Sequence, residues 1–382
     1  MAESGQINLV SKLQNEVTSR DLLGADILVL CRNWTPIYRP IFELALELKI
    51  PIIYDLDDHV LGAPKGSYTD QLFKSPGRRE MLEWLLQQAS LVRAHSPVLE
   101  QVVRQYNVNT SLVSAPINWS LVPETLPTLS SGTVHIVYAA NKETGEHLYR
   151  YIQQDLHAVL ERYGTRVHLH FLGYRPPDLC QHPIVTCHSF EANYAAFFSK
   201  FTRFGYAIGL APMVNDLFHN SKTNLKFRDY AAAGAAGIYA DTPLFRGNGV
   251  IERETGLLVP GSPGSWLPAL AELIENPLLV EKIRRNARKL AEERYSLSVV
   301  TDKWLETFDA LPSRPTLSEE QQRVISLTEW PFTVRRKPDS PWIGKLRSVL
   351  RAKLPVRYRV FYYDTKHRIL TLRSRFKKWN QR

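Results

Sequence analysis

Short apolar runs alternate with amphipathic stretches of helical period along most of the chain. In the first third, Ile27–Leu30, Ile52–Tyr54, Leu91–Ala94 and Ser111–Val113 read as buried strands. Tyr38–Leu48, Arg79–Ala89 and Val98–Tyr106, lying between them, carry apolar residues at helical spacing. This alternation predicts βαβ units and a parallel sheet. Pro123–Gly132, rich in Pro, Ser and Thr, reads as a linker. A second series follows: strand His135–Ala139, helix Glu146–Arg162, strand Val167–Leu172, strand Ile184–Cys187, helix Tyr194–Phe201, strand Tyr206–Leu210, a strand over 235–240 and a long amphipathic segment Ser265–Tyr295. Leu311–Ser318 reads as another linker. The expected fold is α/β, with two Rossmann-like domains over residues 1–126 and 133–311, a cleft between them, and a linker with a basic helical tail over 312–382.

The stretch Asn220–Gly234 is the richest in chemistry. Small polar and cationic residues, Asn220, Ser221, Lys222, Thr223, Asn224 and Lys226, lead into an Ala-rich helix that stops at Gly234. Unpaired N–H groups, the positive end of the helix dipole and two ammonium groups converge there, and a diphosphate is the expected occupant. Asp229 follows just inside the helix, where a carboxylate holds sugar hydroxyls. The competing reading is a solvated helix start, capped by Thr223 or Asn224, with both lysines in water. Because a strand precedes this loop and another follows the helix, the motif falls at the carboxyl end of a parallel sheet, where ligands of such folds bind.

Asp216–Gly234, Gly256–Val259, Asn276-Pro277 and Asn286-Ala-Arg288 together resemble the donor domain of family-four glycosyltransferases of the GT-B fold, most of all the branch that builds bacterial surface polysaccharides. Ala25–Arg32, Ile50–Asp58 and Ala89–Pro97 match that branch in order and spacing, so the resemblance spans residues 25–310. It implies a nucleotide-sugar donor held by the second domain. Lys222 first, and Lys226 second, then stabilise the departing diphosphate, with Asn220 and Ser221 in the same loop. Preorganised cations and N–H groups lower such a barrier with no metal and no further cofactor. Members carry two glutamates eight positions apart, the second on the ribose; here the positions hold Ser221 and Asp229. Asp229 still accepts hydroxyls, whereas Ser221 supplies no carboxylate. Retention through front-face attack, with the donor phosphate as base, tolerates that loss. The first donor-domain loop, Tyr138–Gly145, offers Asn141 and Lys142 to a phosphate, or forms a plain surface turn. Members open with a strand and a Gly-containing loop. None is visible before Ile27, so a shortened first domain is expected.

Tyr54-Asp-Leu-Asp-Asp58 has several readings. The family reading places Asp57 and Asp58 on the acceptor side; an Asx turn is the structural alternative. The same residues mimic a metal-binding Asp-x-Asp and an aspartyl-phosphatase motif, but no distal acidic pair completes the latter. Cys180-Gln-His182 and Cys187-His188 fit no standard zinc spacing, and no metal is expected. Three cysteines suit a reducing compartment better than a disulfide framework, and burial is the default for Cys187.

Charge changes the picture at one end only. Of 48 Lys/Arg and 38 Asp/Glu, 16 and 2 respectively fall within residues 331–382. Trp342, Ile343, Leu346, Val349, Leu350 and Leu354 form one helical stripe there, among cations, which is the pattern of a helix lying on an anionic membrane. Packing on the body and nucleic-acid binding rank behind it, the latter because no recognition motif accompanies the aromatics. No apolar run spans a membrane and no secretory signal is visible, so a cytoplasmic, peripheral membrane location is expected. The functional expectation is a retaining, metal-independent hexosyltransferase acting on a glycan or lipid-linked acceptor. The alternative is a catalytically silent binding subunit of a glycan-assembly complex.

Overall fold

The computed structural model describes residues 7–327, and the basic segment 331–382 lies outside them. Two compact units divide the chain. Among the described residues, one comprises 7–28, 35–51 and 313–327; the other comprises 29–34 and 52–312. In the first unit, the Arg314 guanidinium donates to the carbonyls of Leu22, Leu23 and Ala25 at 3.1, 2.9 and 2.7 Å. A cation thereby satisfies carbonyls left free where the helix Ser19–Leu23 ends.

Among the described residues, ten strands form two sheets. The first has the order β1 (Leu28–Cys31), β2 (Ile52–Leu56), β3 (Leu91–Ala94), β4 (Thr110–Leu112). The pairs β2–β3 and β3–β4 are parallel. Among the described residues no strand precedes β1. The second sheet contains β5 (Val134–Ala139), β6 (Val167–Leu172), β7 (Val185–His188), β8 (Ile208–Ala211), β9 (Ala236–Ala240) and β10 (Leu257–Val259), in the order β10-β9-β8-β5-β6-β7 and parallel throughout. The near-continuous burial of β8 and β9 is what a parallel sheet covered on both faces requires. Chain order reverses between β5 and β8, and the crevice at such a reversal is where ligands settle in open α/β sheets.

The helix Leu225–Ala233 lies flush on this sheet. Ala231, Ala232 and Ala233 are fully buried, and a methyl group at Gly209 would fall 2.6 Å from the Tyr230 ring. Small residues on both partners set this close approach and so fix where the helix begins. Gly234, at φ +66°, ends it in the left-handed conformation.

Two expectations are corrected, the single helix over 146–162 and the separate thiols. The segment Glu146–Arg162 is two helices, Lys142–Tyr149 and Gln153–Tyr163, because the turn closes with the N–H groups of Tyr151 and Ile152 bonding three residues back. The amphipathic segment Ser265–Tyr295 forms two helices, Leu267–Glu275 and Pro277–Tyr295: Asn276 caps the second through the Leu279 N–H (3.1 Å), and Pro277 cannot continue the first. The thiols of Cys180 and Cys187 form a disulfide rather than staying apart, and Cys187 is half-buried. The turn 176–182 doubles back against β7 and brings the two Cα atoms to 5.8 Å, which spacing in sequence alone does not reveal. The expected linker Pro123–Gly132 is fastened to the helix Pro277–Tyr295: Arg288 donates to the Pro123 carbonyl at 2.8 Å and Arg284 to that of Pro127 at 2.6 Å. Among the described residues no helix is long and apolar enough to cross a membrane.

Candidate functional site

The loop between β8 and the helix Leu225–Ala233 is built by inward-facing polar groups. Asp216 caps the short helix Leu217–Asn220, accepting from the His219 N–H at 2.8 Å. Ser221 is fully buried. Its hydroxyl donates to the Leu217 carbonyl (2.7 Å) and its carbonyl accepts from the Ser96 hydroxyl (2.7 Å). Asn224 is buried and donates to Tyr295 Oη at 2.8 Å and to the Asn248 carbonyl at 2.6 Å. Arg228, also buried, donates to Thr223 Oγ1 at 2.6 Å and to the Ala115 carbonyl. Neither Thr223 nor Asn224 therefore caps the helix, and no side chain does. The expected cap is corrected: Arg228, on the same helix, takes the Thr223 side chain, Asn248 and Tyr295 take that of Asn224, and the N-terminal N–H groups are left without side-chain acceptors.

Against this fixed frame Lys222 is only half-buried. Its ammonium sits 3.1 Å from Asp58 Oδ1 and 4.4 Å from the centre of the Phe218 ring. Lys226 lies 3.8 Å from Asp229 Oδ2. Burial holds Lys226 below the usual lysine range and Asp229 above the usual carboxylate range, and the attraction between the two opposes both shifts. Asn220 donates to Asn215 Oδ1 at 2.8 Å, while its own Oδ1 is buried without a partner. Such an orphan acceptor calls for a ligand or a water. Asn141 caps the helix Lys142–Tyr149 by accepting from the Thr144 N–H (2.8 Å), so its amide oxygen is already engaged. Lys142 is exposed beside it. Gly173, at φ +84°, leaves 2.5 Å between an added methyl and the Ala140 carbonyl, so only glycine lets the β5 and β6 loops abut there.

Asp57 and Asp58, at the end of β2, belong to a charge network that the sequence reading missed. Arg32 grips Asp57 through two bonds, 3.3 and 2.7 Å, and stands 4.0 Å from Asp58 Oδ2. Its backbone has φ +56°, an unusual value for a residue with a Cβ. Signs thus alternate along Asp57, Arg32, Asp58 and Lys222. Behind them the buried Arg93 donates to Asp55 at 2.5 Å, and His95 joins the same oxygen at 2.9 Å. Burial works against the Asp55 carboxylate, yet His95 and Arg93 together hold it below the usual range. Arg32 lies 190 positions from Lys222, and the only local hint of it is a cation directly after a strand.

Together these groups offer a half-buried ammonium and a helix N-terminus that no side chain caps to an anion, with two carboxylates close by. Among the described residues no cluster of three or more His, Cys, Asp or Glu side chains is arranged to hold a metal ion.

No protein-family model matches the chain, and no curated protein matches it by sequence. Solved structures do. Anabaena HepE in complex with UDP superposes with a TM-score of 0.57 at 15% identity, over 77% of this chain and 81% of that one. Sucrose-phosphate synthase from Thermosynechococcus elongatus gives 0.53 at 15% identity, covering 74% and 73%. A glycosyltransferase from Rickettsia africae gives 0.53 at 11%, covering 79% and 83%. At these identities the likeness is one of fold, and the chain has the two-sheet α/β architecture of GT-B enzymes.

Proposed function

We propose that this chain is a glycosyltransferase that takes a sugar from a nucleotide-diphosphate donor. The observation that carries the reading is Lys222, half-exposed, at a helix N-terminus that no side chain caps. A pyrophosphate leaving group gains charge as the glycosidic bond breaks, and a fixed ammonium with free N–H groups stabilises that charge more than the ground state. Asp229, beside Lys226, then receives the ribose hydroxyls. Asp57 and Asp58 stand on the acceptor side. Likeness of fold to HepE, solved with UDP, is in keeping with this assignment.

The test is calorimetric titration of the folded protein with nucleoside diphosphates, followed by donor turnover. Lys222→Met is expected to weaken diphosphate binding and to slow transfer by about 10²–10³-fold, with the melting temperature unchanged. Absence of binding by every diphosphate discards the assignment. The finer reading is retention of anomeric configuration without a metal, in surface-polysaccharide assembly, with domains over 1–126 and 133–311. For it, turnover survives chelation and the first product formed has the donor's anomeric configuration. Residues 331–382 are proposed to bind anionic membrane: their deletion abolishes sedimentation with phosphatidylserine vesicles, and unchanged sedimentation rejects the role.

One observation favours a second reading. Ser221 stands where the resemblance places a carboxylate, and its hydroxyl is committed to the Leu217 carbonyl. Diphosphate binding without donor hydrolysis or transfer would make the chain a silent binding subunit.

A further inference from the structure

A second polar crevice opens on the same sheet. The carboxyl ends of β8, β9 and β10 deliver Asn215, Asp241 with Thr242, and Pro260 with Ser262 to one wall-lined space, and Tyr151 closes it. Its volume is about 340 Å³, at the lower end of the ~300–1,000 Å³ usual for small-molecule sites. Space of this size suits a single small ring system.

The chemistry of the walls is specific in sign. The lining holds one carboxylate, an amide, hydroxyls and an aromatic ring, and neither lysine nor arginine. A phosphate would meet the Asp241 carboxylate, already paired with Arg246 from outside the lining, and no cation within the lining itself. An uncharged, hydroxyl-rich ligand meets acceptors and donors instead. The Asp241 carboxylate is anchored from the side by Arg246, Nε to Oδ1 at 2.7 Å, so it is oriented before a ligand arrives. The Asn215 carbonyl accepts from Asn220 at 2.8 Å, which leaves its amino group for the ligand. Two buried polar atoms around the crevice have no partner in the protein: the Thr242 hydroxyl in the wall and Asn220 Oδ1 behind Asn215. Orphans of this kind are rare in folded proteins and mark places where a ligand or a water completes the bonding. The Tyr151 ring, flanked by the Arg150 guanidinium at 5.2 Å, provides an apolar face for the C–H side of a pyranose.

We infer that this crevice is a carbohydrate subsite that holds one uncharged sugar ring. The inference does not require Lys222 to bind a diphosphate, and the two fail separately. Saturation-transfer NMR of the full chain with the methyl glycosides of glucose, galactose, mannose and N-acetylglucosamine tests it. At least one glycoside is expected to bind, and Asn215→Ala and Tyr151→Ala each to weaken it by about tenfold or more. Asn215 is exposed, so its variant keeps the fold, which far-ultraviolet dichroism verifies. Lys222→Met is expected to leave glycoside binding intact. Displacement of the glycoside by a nucleotide sugar but not by UDP assigns the crevice to the donor's own sugar; co-occupancy assigns it to an acceptor sugar. Failure of every glycoside to bind, equal binding by wild type and both variants, or saturable binding of inorganic phosphate in its place overturns the inference.

Discussion

The loop after β8 and the loop after β2 meet at the Lys222–Asp58 pair, and they are held by opposite means. The β8 loop is locked from within: Ser221, Asn224 and Arg228 are buried and bonded to the backbone or to neighbouring side chains. The β2 loop is held by ion pairs whose carboxylates, Asp57 and Asp58, remain about a third exposed. Buried hydrogen bonds to a charged group resist rearrangement because breaking one strands a desolvated partner. Half-exposed ion pairs contribute little net stability and exchange partners easily. One side of the site is therefore preorganised, and the other adjusts to whatever charge arrives.

Removing the lock should have the largest effect. Arg228→Ala leaves the Ala115 carbonyl and Thr223 without their donor, and removes one of the two cations near Asp229, the other being Lys226. A loss of about 3 kcal/mol in urea unfolding is expected, together with loss of diphosphate binding. A change under 1 kcal/mol would mean that the loop does not depend on this arginine.

Acid should separate the halves next. Four imidazoles share one face of the second sheet, with His135 Nδ1 2.9 Å from His170 Nε2, and His170 Nδ1 3.4 Å from His188 Nε2. Burial, reinforced by His168, His135 and His188, pushes His170 down to about 3. Below the unfolded value of 6.5 the unfolded chain binds the proton that the native state refuses, so stability falls as pH drops from 6.5 towards 3. His170 alone accounts for about 2 kcal/mol between pH 7.5 and pH 5. His170→Leu should flatten that slope in paired urea titrations; an unchanged slope would place the acid sensitivity elsewhere.

The smallest effect should come from the adjustable side. Asp58→Asn removes the counter-ion that an incoming diphosphate must displace from Lys222. Pyrophosphate affinity by calorimetry should rise by about three- to tenfold at low salt, with stability changed by less than about 0.5 kcal/mol. Weaker binding would show that Asp58 supports the anion site rather than competing for it.

Much of the frame was legible in the amino-acid sequence. Apolar runs of four to six residues separated by helical patterns specify parallel α/β sheets, because only that architecture buries such strands on both faces. The small-residue helix ending at Gly234 was legible for a similar reason, since alanine and glycine at fixed spacing permit only close packing. The partners of the polar residues were not legible. Thr223 and Asn224 have the chemistry of caps, and Asn141 that of a phosphate contact. Yet Arg228 and Tyr295 claim the first two, while Asn141 serves as a cap. Arg32 was invisible because nothing local distinguishes a cation that packs against Asp57 from one in water. The Cys180–Cys187 bond was misread because a separation of seven residues says nothing about where the turn between them points.

What the sequence determined by itself was periodic: which segments are strands or helices, which faces are buried, and where a helix start gathers cations. These follow from interactions repeating every two or three to four residues, and a linear chain displays them directly. The tertiary structure alone decided which polar groups are satisfied and which are left free, because hydrogen bonds and ion pairs are made between residues brought together only by folding. Lys222 faces Asp58, and Ser221 is sealed inside, through contacts spanning more than a hundred positions. A one-dimensional pattern carries no measure of that distance.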